Sequence, residues 1–414
     1  MLQRAATSSS VGTRLWRQLA IGTNWPVLLA VALLSIIGLV TVWYDVKPDG
    51  TWDGSRHLAY IVCGIVCMTL FQGVNYQLIG RYAWGFYVVA LALVVFTVIG
   101  GHLLHLTLVP NRNGAYKWIV IGPASLEPAE LMKVGFIMVL ARYLRFRSNY
   151  RTFAGLLAPF ALALVPVVMI LGQPDLGTSF CFIPALFAML FVAGAKINHL
   201  LTILAVGVVL LPVAWMSGKD KSGHAHSSLP ILPHLPELIS PHQRQCVLDI
   251  WNDDPHTMQH GGYQQLWAKT AFGSGGILGK GHGKMPVGRH VPESDNDMIY
   301  ALIGEQFGFF GAVVVLIAYL TLFAAGTEIA ARTREPFGRL VALGVVAMLA
   351  AQTFSNLMVA TGLMPVTGVP LPFISTGGSS IIASFMSAGL LLNIGQNRPI
   401  VMANDAFEFG KKVE

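Results

Sequence analysis

Residues 25–44 read WPVLLAVALLSIIGLVTVWY, twenty residues without one charge. About 20 mostly apolar residues are what an α-helix needs to cross the hydrocarbon core of a bilayer. Working outward, nine more runs of this kind follow, at 58–75, 83–105, 129–146, 152–171, 178–195, 198–216, 297–325, 337–361 and 374–395. Composition agrees. Of 414 residues 54% are hydrophobic and only 11% charged, and the mean hydropathy is +0.61; a soluble domain carries about 25% charged residues. A single soluble core, a disordered chain, a collagen and a small disulfide scaffold are excluded. The first run lacks a charged lead and a short apolar stretch before a cleavage site, so it reads as a retained helix and not a signal peptide. The expectation is an all-α polytopic membrane protein with ten transmembrane helices. No internal repeat suggests an inverted-repeat transporter.

Charge sets the orientation. With the N-terminus in the cytoplasm, fifteen Lys and Arg fall on the inner side, including Arg142, Arg145, Arg147 and Arg151. The short outer loops hold four: Lys47, Arg56, Arg112 and Lys117. Basic residues hold short loops inside, so both termini are expected to be cytoplasmic. The chain divides into an N-terminal tail (1–24), spans one to seven (25–216), a large extracytoplasmic loop (217–296), spans eight to ten (297–395) and a C-terminal tail (396–414). The net charge of +7 is thereby explained without nucleic acid. Fifteen of the twenty acids lie between Asp45 and Glu305, on or near the outer side. Of the four cysteines, Cys63, Cys67 and Cys181 lie in apolar stretches and Cys246 in the long loop, which is no disulfide framework.

Four segments are unlike spacers. The first runs from Asn111-Arg112 through Lys117-Trp118 to Leu126-Glu127-Pro128-Ala129-Glu130-Leu131-Met132-Lys133. Pro128 suits a helix's first turn, and Glu130 and Lys133 share a face at i, i+3. They form a local ion pair or face a cavity; the cost of an intramembrane charge favours the cavity for Lys133. The second, Gly172-Gln173-Pro174-Asp175-Leu176-Gly177-Thr178, reads as a tight outer turn in which Asp bonds its own backbone.

The third runs from Gly261-Gly262-Tyr263-Gln264 through Gly279-Lys280-Gly281 to Pro292-Glu293-Ser294-Asp295-Asn296-Asp297 and Gly304-Glu305. A P-loop reading fails, since no Ser or Thr follows Lys280. Asp297 opens the eighth span, where Asp favours the N-cap; Asp295 and Asn296 compete for that place. Glu305 lies two turns inside, where an unpaired acid is expensive. The fourth, Leu363 through Pro370-Leu371-Pro372-Phe373-Ile374-Ser375-Thr376-Gly377-Gly378-Ser379-Ser380, has no charge and many Pro and Gly residues. It reads as a re-entrant or cavity-lining loop. Eight of the twelve histidines lie in the 217–296 loop, without zinc-ligand spacing; a solvated loop is expected.

These four blocks, in this order between ten spans, resemble the SEDS family of bacterial shape, elongation, division and sporulation proteins. Asn24-Trp25, Trp52 and Arg56 look more like its RodA branch than its FtsW branch. The resemblance implies a peptidoglycan glycosyltransferase of the bacterial inner membrane. Such an enzyme polymerises lipid II at the outer face, beside a class B penicillin-binding protein that crosslinks the strands. It implies Asp297 as the essential aspartate. Arg56, Lys117, Glu130, Lys133 and Asp175 match polar positions of the family's central cavity, and Ser375, Gly377 and Ser379 its loop before the last span. Glu305 joins them as a substrate-binding candidate. A carboxylate suits a base for a sugar hydroxyl, and basic residues or a divalent cation, Mg2+ or Mn2+, suit a departing diphosphate. No nucleotide is expected, because the donor is activated on its lipid; no metal ligand is assigned. The chain departs from the family pattern at Asp295-Asn296-Asp297-Met298, Trp267-Ala268, Cys246 and Thr376. An acid at 295 is expected to raise the pKa of Asp297. The competing readings are a lipid II flippase or other transporter, which wants its charges nearer mid-membrane, and a scaffold, which leaves Lys133 and Glu305 without a purpose.

Overall fold

The fold is that of a computed structural model, which describes residues 24–43, 54–112, 115–122, 124–147, 149–217 and 260–397, with Arg244 and Leu248. Both tails, Trp52, Cys246 and most of the 217–296 loop, with five of its eight histidines, lie outside the described residues.

The helices are α1 (Trp25–Trp43), α2 (Gly54–Gly73), the short α3 (Tyr76–Arg81) and α4 (Ala83–His102). A hairpin of β1 (Ile119–Ile121) and β2 (Ala124–Leu126) follows. Then come α5 (Pro128–Phe146), α6 (Leu157–Leu171), α7 (Leu176–Ala193), α8 (Ile197–Met216), α9 (His260–Ser274), α10 (Ile299–Arg332), α11 (Pro336–Ala360) and α12 (Gly378–Gln396). Each of the ten predicted spans falls on a helix. Eight of the described helices are long and apolar enough to cross a membrane. Of the other two, α5 falls outside that group because it carries Glu130, Lys133, Arg142 and Arg145, while α8 is apolar over Ile197–Met216. The hairpin, α3 and α9 are additions to the predicted all-α plan.

The centre is built by α11 and α12, whose spanning windows are 72% and 89% buried, against 28% for α2. Small residues let the helices approach. A Cβ on Gly64 of α2 would stand 2.5 Å from the Phe385 ring of α12, and one on Gly389 2.6 Å from Met68 O. Asn393 locks the same pair, Nδ2 donating to Phe71 O (2.6 Å) and Oδ1 accepting from Tyr76 N (3.1 Å). The outward faces are apolar, as lipid requires: Leu29, Val62, Leu70, Val88, Leu164 and Val209 are all exposed.

The predicted eighth span is not one continuous helix. α10 breaks at Gly308 (φ 66°, ψ −161°), a conformation open essentially to glycine alone. The segment after α9 docks there through its backbone. Lys280 N donates to Glu305 O (2.9 Å), Gly281 N to Gln306 O (3.0 Å), and Phe309 N to Gly276 O (2.9 Å). A Cβ on Gly308 would lie 2.4 Å from Gly279 N. A broken helix survives in an apolar setting when neighbouring backbone takes up the freed groups.

The stretch between α11 and α12 stays non-helical while Val369–Ser375 is buried. Tyr319 OH, far along α10, donates to Pro372 O (2.5 Å). On α1, a Cβ at Gly38 would stand 2.6 Å from Ile374 O. The loop therefore re-enters the helix bundle, as its Pro and Gly content predicts.

Candidate functional site

The hairpin puts the first two charged groups side by side. Its register pairs Ile119 with Leu126, which sets Trp118 opposite Glu127 and brings Lys117, one residue further along, close to it. Lys117 Nζ lies 3.5 Å from Glu127 Oε1 and 3.2 Å from Asp175 Oδ2. Asp175 caps α7: Oδ1 accepts from Thr178 N (2.9 Å) and Oδ2 from Thr178 Oγ1 (3.0 Å). Gln173, in the same turn, donates to Thr97 Oγ1 (2.5 Å) and Val94 O (3.3 Å) and ties the turn to α4.

Asp297 joins this group through the re-entrant loop. A Cβ on Gly177, two residues past Asp175, would stand 2.3 Å from Thr367 O; one on Gly368 would stand 3.6 Å from Asp297 Oδ2. Gly177 lets the loop pack directly on the start of α7, and Gly368, with φ 67°, turns it past Asp297. The backbone around Asp297 is clamped. Asn356 Nδ2 donates to Asp297 O and to Val369 O, both at 2.8 Å. Ser375 Oγ donates to Asn296 O (2.5 Å), and Thr376 Oγ1 to Asp295 O and Oδ2 (3.1 Å each). The half-buried Asp297 is not the N-cap; Met298 holds that position and α10 starts at Ile299. Its side chain accepts from Asn296 Nδ2 at Oδ1 (3.0 Å), which leaves Oδ2 without a hydrogen bond from the described residues.

The electrostatics follow from this crowding outside the spanning helices. Burial raises the Asp297 carboxyl; Lys117 opposes it and Glu293, Asp175 and Asp295 add to it, so its pKa is pushed up to about 7. Asp295 acts in the direction its place in the sequence predicts. Burial also raises Glu127, against Lys117 and with Asp175 and Glu130, to about 7. Burial pulls Lys117 down, but Asp175, Glu127 and Asp297 outweigh it and hold the ammonium charged. A carboxylate with its pKa near neutrality beside a fixed cation can accept a proton while an anion is held nearby.

The remaining candidates lie around this group. Glu130 and Lys133 form the i, i+3 pair on α5, Nζ to Oε1 2.7 Å, both almost fully buried. They line a cavity of about 10 Å³, room for one water, with Gln352, Ser384 and Ser387. Ser379 Oγ accepts from Glu127 N (2.8 Å) and so links α12 to the hairpin. Ser375 and Gly377 face Asn296, whose Oδ1 would lie 3.0 Å from a Cβ on Gly377. Arg56 stands in the first turn of α2, Nε donating to Tyr60 OH (3.3 Å); the Tyr60 ring packs on Gly378. Among the described residues no three His, Cys, Asp or Glu could hold a metal ion together.

Glu305 is not brought to the Lys117 cluster. It is fully buried, and its carboxylate accepts from Lys280 Nζ (2.6 Å), Gly288 N (2.6 Å), Val287 N (3.2 Å) and Ser274 Oγ (3.3 Å). It anchors the segment leading to Asp297. A neutral amide at 305 would meet donors with its own N–H groups, and hydrogen bonds to a charged group are worth about 1.5–3 kcal/mol. Glu305→Gln should therefore speed limited proteolysis after Lys280 and Lys284 by about tenfold or more, a factor of ten being 1.4 kcal/mol. Unchanged cleavage would remove this anchoring role.

Sequence reasoning missed two residues. Glu127 carries one local signal, an acid beside a helix-starting proline, and its partner is set by the fold of the hairpin. Asn356 lies in an apolar run, and no local pattern announces that its amide reaches Asp297.

The chain matches the family model for FtsW, RodA and SpoVE cell cycle proteins over residues 20–399. It belongs to that family. It is 30% identical over 377 residues to stage V sporulation protein E of Bacillus subtilis (89% of this chain, 94% of that one). It is 30% identical over 381 residues to the probable peptidoglycan glycosyltransferase FtsW of Geobacter metallireducens (89% and 93%). Among solved structures it resembles a chain of a peptidoglycan synthase complex that coordinates polymerization and crosslinking. That likeness has a TM-score of 0.73 and 27% identity, and covers 91% of this chain and 99% of the other.

Proposed function

We propose that this chain is a peptidoglycan glycosyltransferase that polymerises lipid II at the outer face of the bacterial cytoplasmic membrane. The observation that carries the reading is the convergence of Asp297, with a pKa near neutrality, and the cation Lys117 in a member of a family whose relatives include a probable peptidoglycan glycosyltransferase. Asp297 Oδ2 takes the proton of the acceptor sugar hydroxyl as that oxygen bonds to the anomeric carbon of the donor. The bond from that carbon to the lipid diphosphate breaks, and the diphosphate leaves with the electron pair toward Lys117. A single displacement inverts the sugar carbon.

Ten spans, with both termini and the basic residues inside, suit this reading, because they put Asp297 and Lys117 outside. The resemblance to a chain from a complex that couples polymerization with crosslinking supports a class B penicillin-binding protein as partner. The described residues offer no protein cage for a divalent ion, since Lys117 fills the space between Asp175 and Glu127. A divalent cation, Mg2+ or Mn2+, arriving on the diphosphate would suit this site. A flippase reading loses support because the Glu130–Lys133 cavity admits about one water and no sugar headgroup.

The test is to purify the chain with its cognate transpeptidase, add lipid II and a divalent cation, and separate glycan products by gel. Polymer from the native chain and none from Asp297→Asn is expected. Polymer from both would remove Asp297 from its role, and polymer from neither would return the flippase and scaffold readings.

A further inference from the structure

Lys117 is shared between two carboxylates that are not equivalent. Asp175 keeps two donors of its own, Thr178 N (2.9 Å) and Thr178 Oγ1 (3.0 Å), and would stay satisfied if Lys117 turned away. Glu127 has no such support. It sits at the N-cap position of α5 but its side chain makes no cap hydrogen bond. Among the described residues its ion-pair partner is Lys117 at 3.5 Å.

The charges facing Glu127 come from every neighbouring element. Lys117 approaches from the hairpin, Asp175 from α7, and Glu130 with Lys133 from α5; Asp297 acts on Lys117 as well. Glu130 and Lys133 neutralise each other at 2.7 Å. That leaves one cation among three carboxylates when all are ionised. A diphosphate carries two or more negative charges, so it meets net repulsion unless one carboxylate is discharged.

We propose that Glu127 is a positioning residue which takes up a proton from solvent when the lipid diphosphate binds, and thereby hands Lys117 from the protein's own carboxylates to the phosphates. Of the three acids, Glu127 is the one that loses its ion-pair partner among the described residues in that exchange, and a buried carboxyl without a partner protonates. Its pKa near 7 makes the uptake easy at neutral pH. Asp175 keeps its hydrogen bonds from Thr178 and marks where Lys117 returns after product leaves. The proposal rests on the glycosyltransferase reading for its substrate.

Two measurements test it on the full chain in complex with its transpeptidase. Initial rates of glycan formation from lipid II are followed between about pH 6 and about pH 8.5, bracketing the carboxyl's titration. The native apparent KM is expected to rise with pH above about 7, approaching about tenfold per pH unit, as for binding linked to one proton. In Glu127→Gln the KM should stay low and flat while kcat still climbs with pH, and Glu127→Asp should restore the KM dependence. A purely structural role would not separate KM from kcat in this way.

The second measurement uses undecaprenyl diphosphate, whose binding is read from Trp118, with Lys117 Nζ 4.8 Å from its ring centre. In weakly buffered solution at about pH 8, above the carboxyl's pKa, with a pH indicator, close to one proton should be taken up per molecule bound by the native chain and none by Glu127→Gln. The same KM slope in Glu127→Gln as in the native chain, or binding without proton uptake, would overturn the proposal. If Glu127→Gln does not fold, proton uptake by the native chain decides. If the native chain makes no polymer yet binds undecaprenyl diphosphate with proton uptake, the glycosyltransferase reading fails and the Glu127 exchange stands.

Discussion

Asp297→Asn is expected to lower glycan polymer formation by about 10²–10⁴-fold, the usual contribution of a positioned base. The substitution is close to isosteric, and the clamps on this segment hold backbone: Asn356 on the 297 carbonyl, Ser375 and Thr376 on residues 295 and 296. The fold and lipid II binding should therefore survive while the proton acceptor is lost. An unchanged thermal transition together with lost turnover is the expected pair of results; retained turnover would put the base elsewhere. The pH profile carries the same argument. The base works only when ionised, and its pKa is near 7. Turnover number should fall as pH drops through about 7, approaching about tenfold per unit, and level off above. A plateau continuing well into the acid range would mean that Asp297 ionises like an exposed aspartate and that its crowded setting has no part in the chemistry.

The second large effect is on stability. Lys133→Met should destabilise the chain by about 3–5 kcal/mol, the cost of breaking a buried pair and leaving one charge uncompensated. Lys133 Nζ is the ion-pair partner of Glu130 at 2.7 Å, and Glu130 is 1% exposed. Removing both charges is different: a double variant Glu130→Leu/Lys133→Met should recover most of the loss, because an apolar pair often replaces a buried ion pair without penalty. Thermal unfolding of the purified chain in detergent micelles measures both. A double variant no better than Lys133→Met would mean that the cost lies in packing around the cavity shared with Gln352 and Ser384, and not in charge.

Much of the architecture is written in local composition. Each predicted span coincides with a helix because a run such as 25–44 has few other ways to satisfy its backbone away from water. The Pro- and Gly-rich stretch 363–380 reads as re-entrant for the complementary reason: its prolines and glycines keep it from being helical before Gly378, and it carries no charge to hold it in water. The pairing of Glu130 with Lys133 is local too, since i and i+3 meet on any helix. The break at Gly308 is harder to read. Glycine is permissive and not directive, and its φ is called for only because Gly276–Gly281 docks against it. Asp297 suits a helix cap by residue type, yet the cap falls one residue later, because Asn356 of α11 and Ser375 and Thr376 of the re-entrant loop hold the 295–297 backbone.

What the sequence by itself determined is the membrane-spanning character, the place of each long helix, and a set of charges gathered near one end of the bundle. These depend on residues close in the chain, where hydrophobicity and helical periodicity act directly. Only the tertiary structure decided which charges share a site. Lys117 meets Glu127 through hairpin register, meets Asp175 across 58 positions, and reaches Asp297 by way of the loop that Gly177 and Gly368 leave room for. Glu305 is drawn away from them by Lys280 and two backbone amides. The reason is physical: the ionisation of a carboxyl depends on burial and on charges within a few ångströms, and those neighbours are chosen by packing between helices distant in sequence.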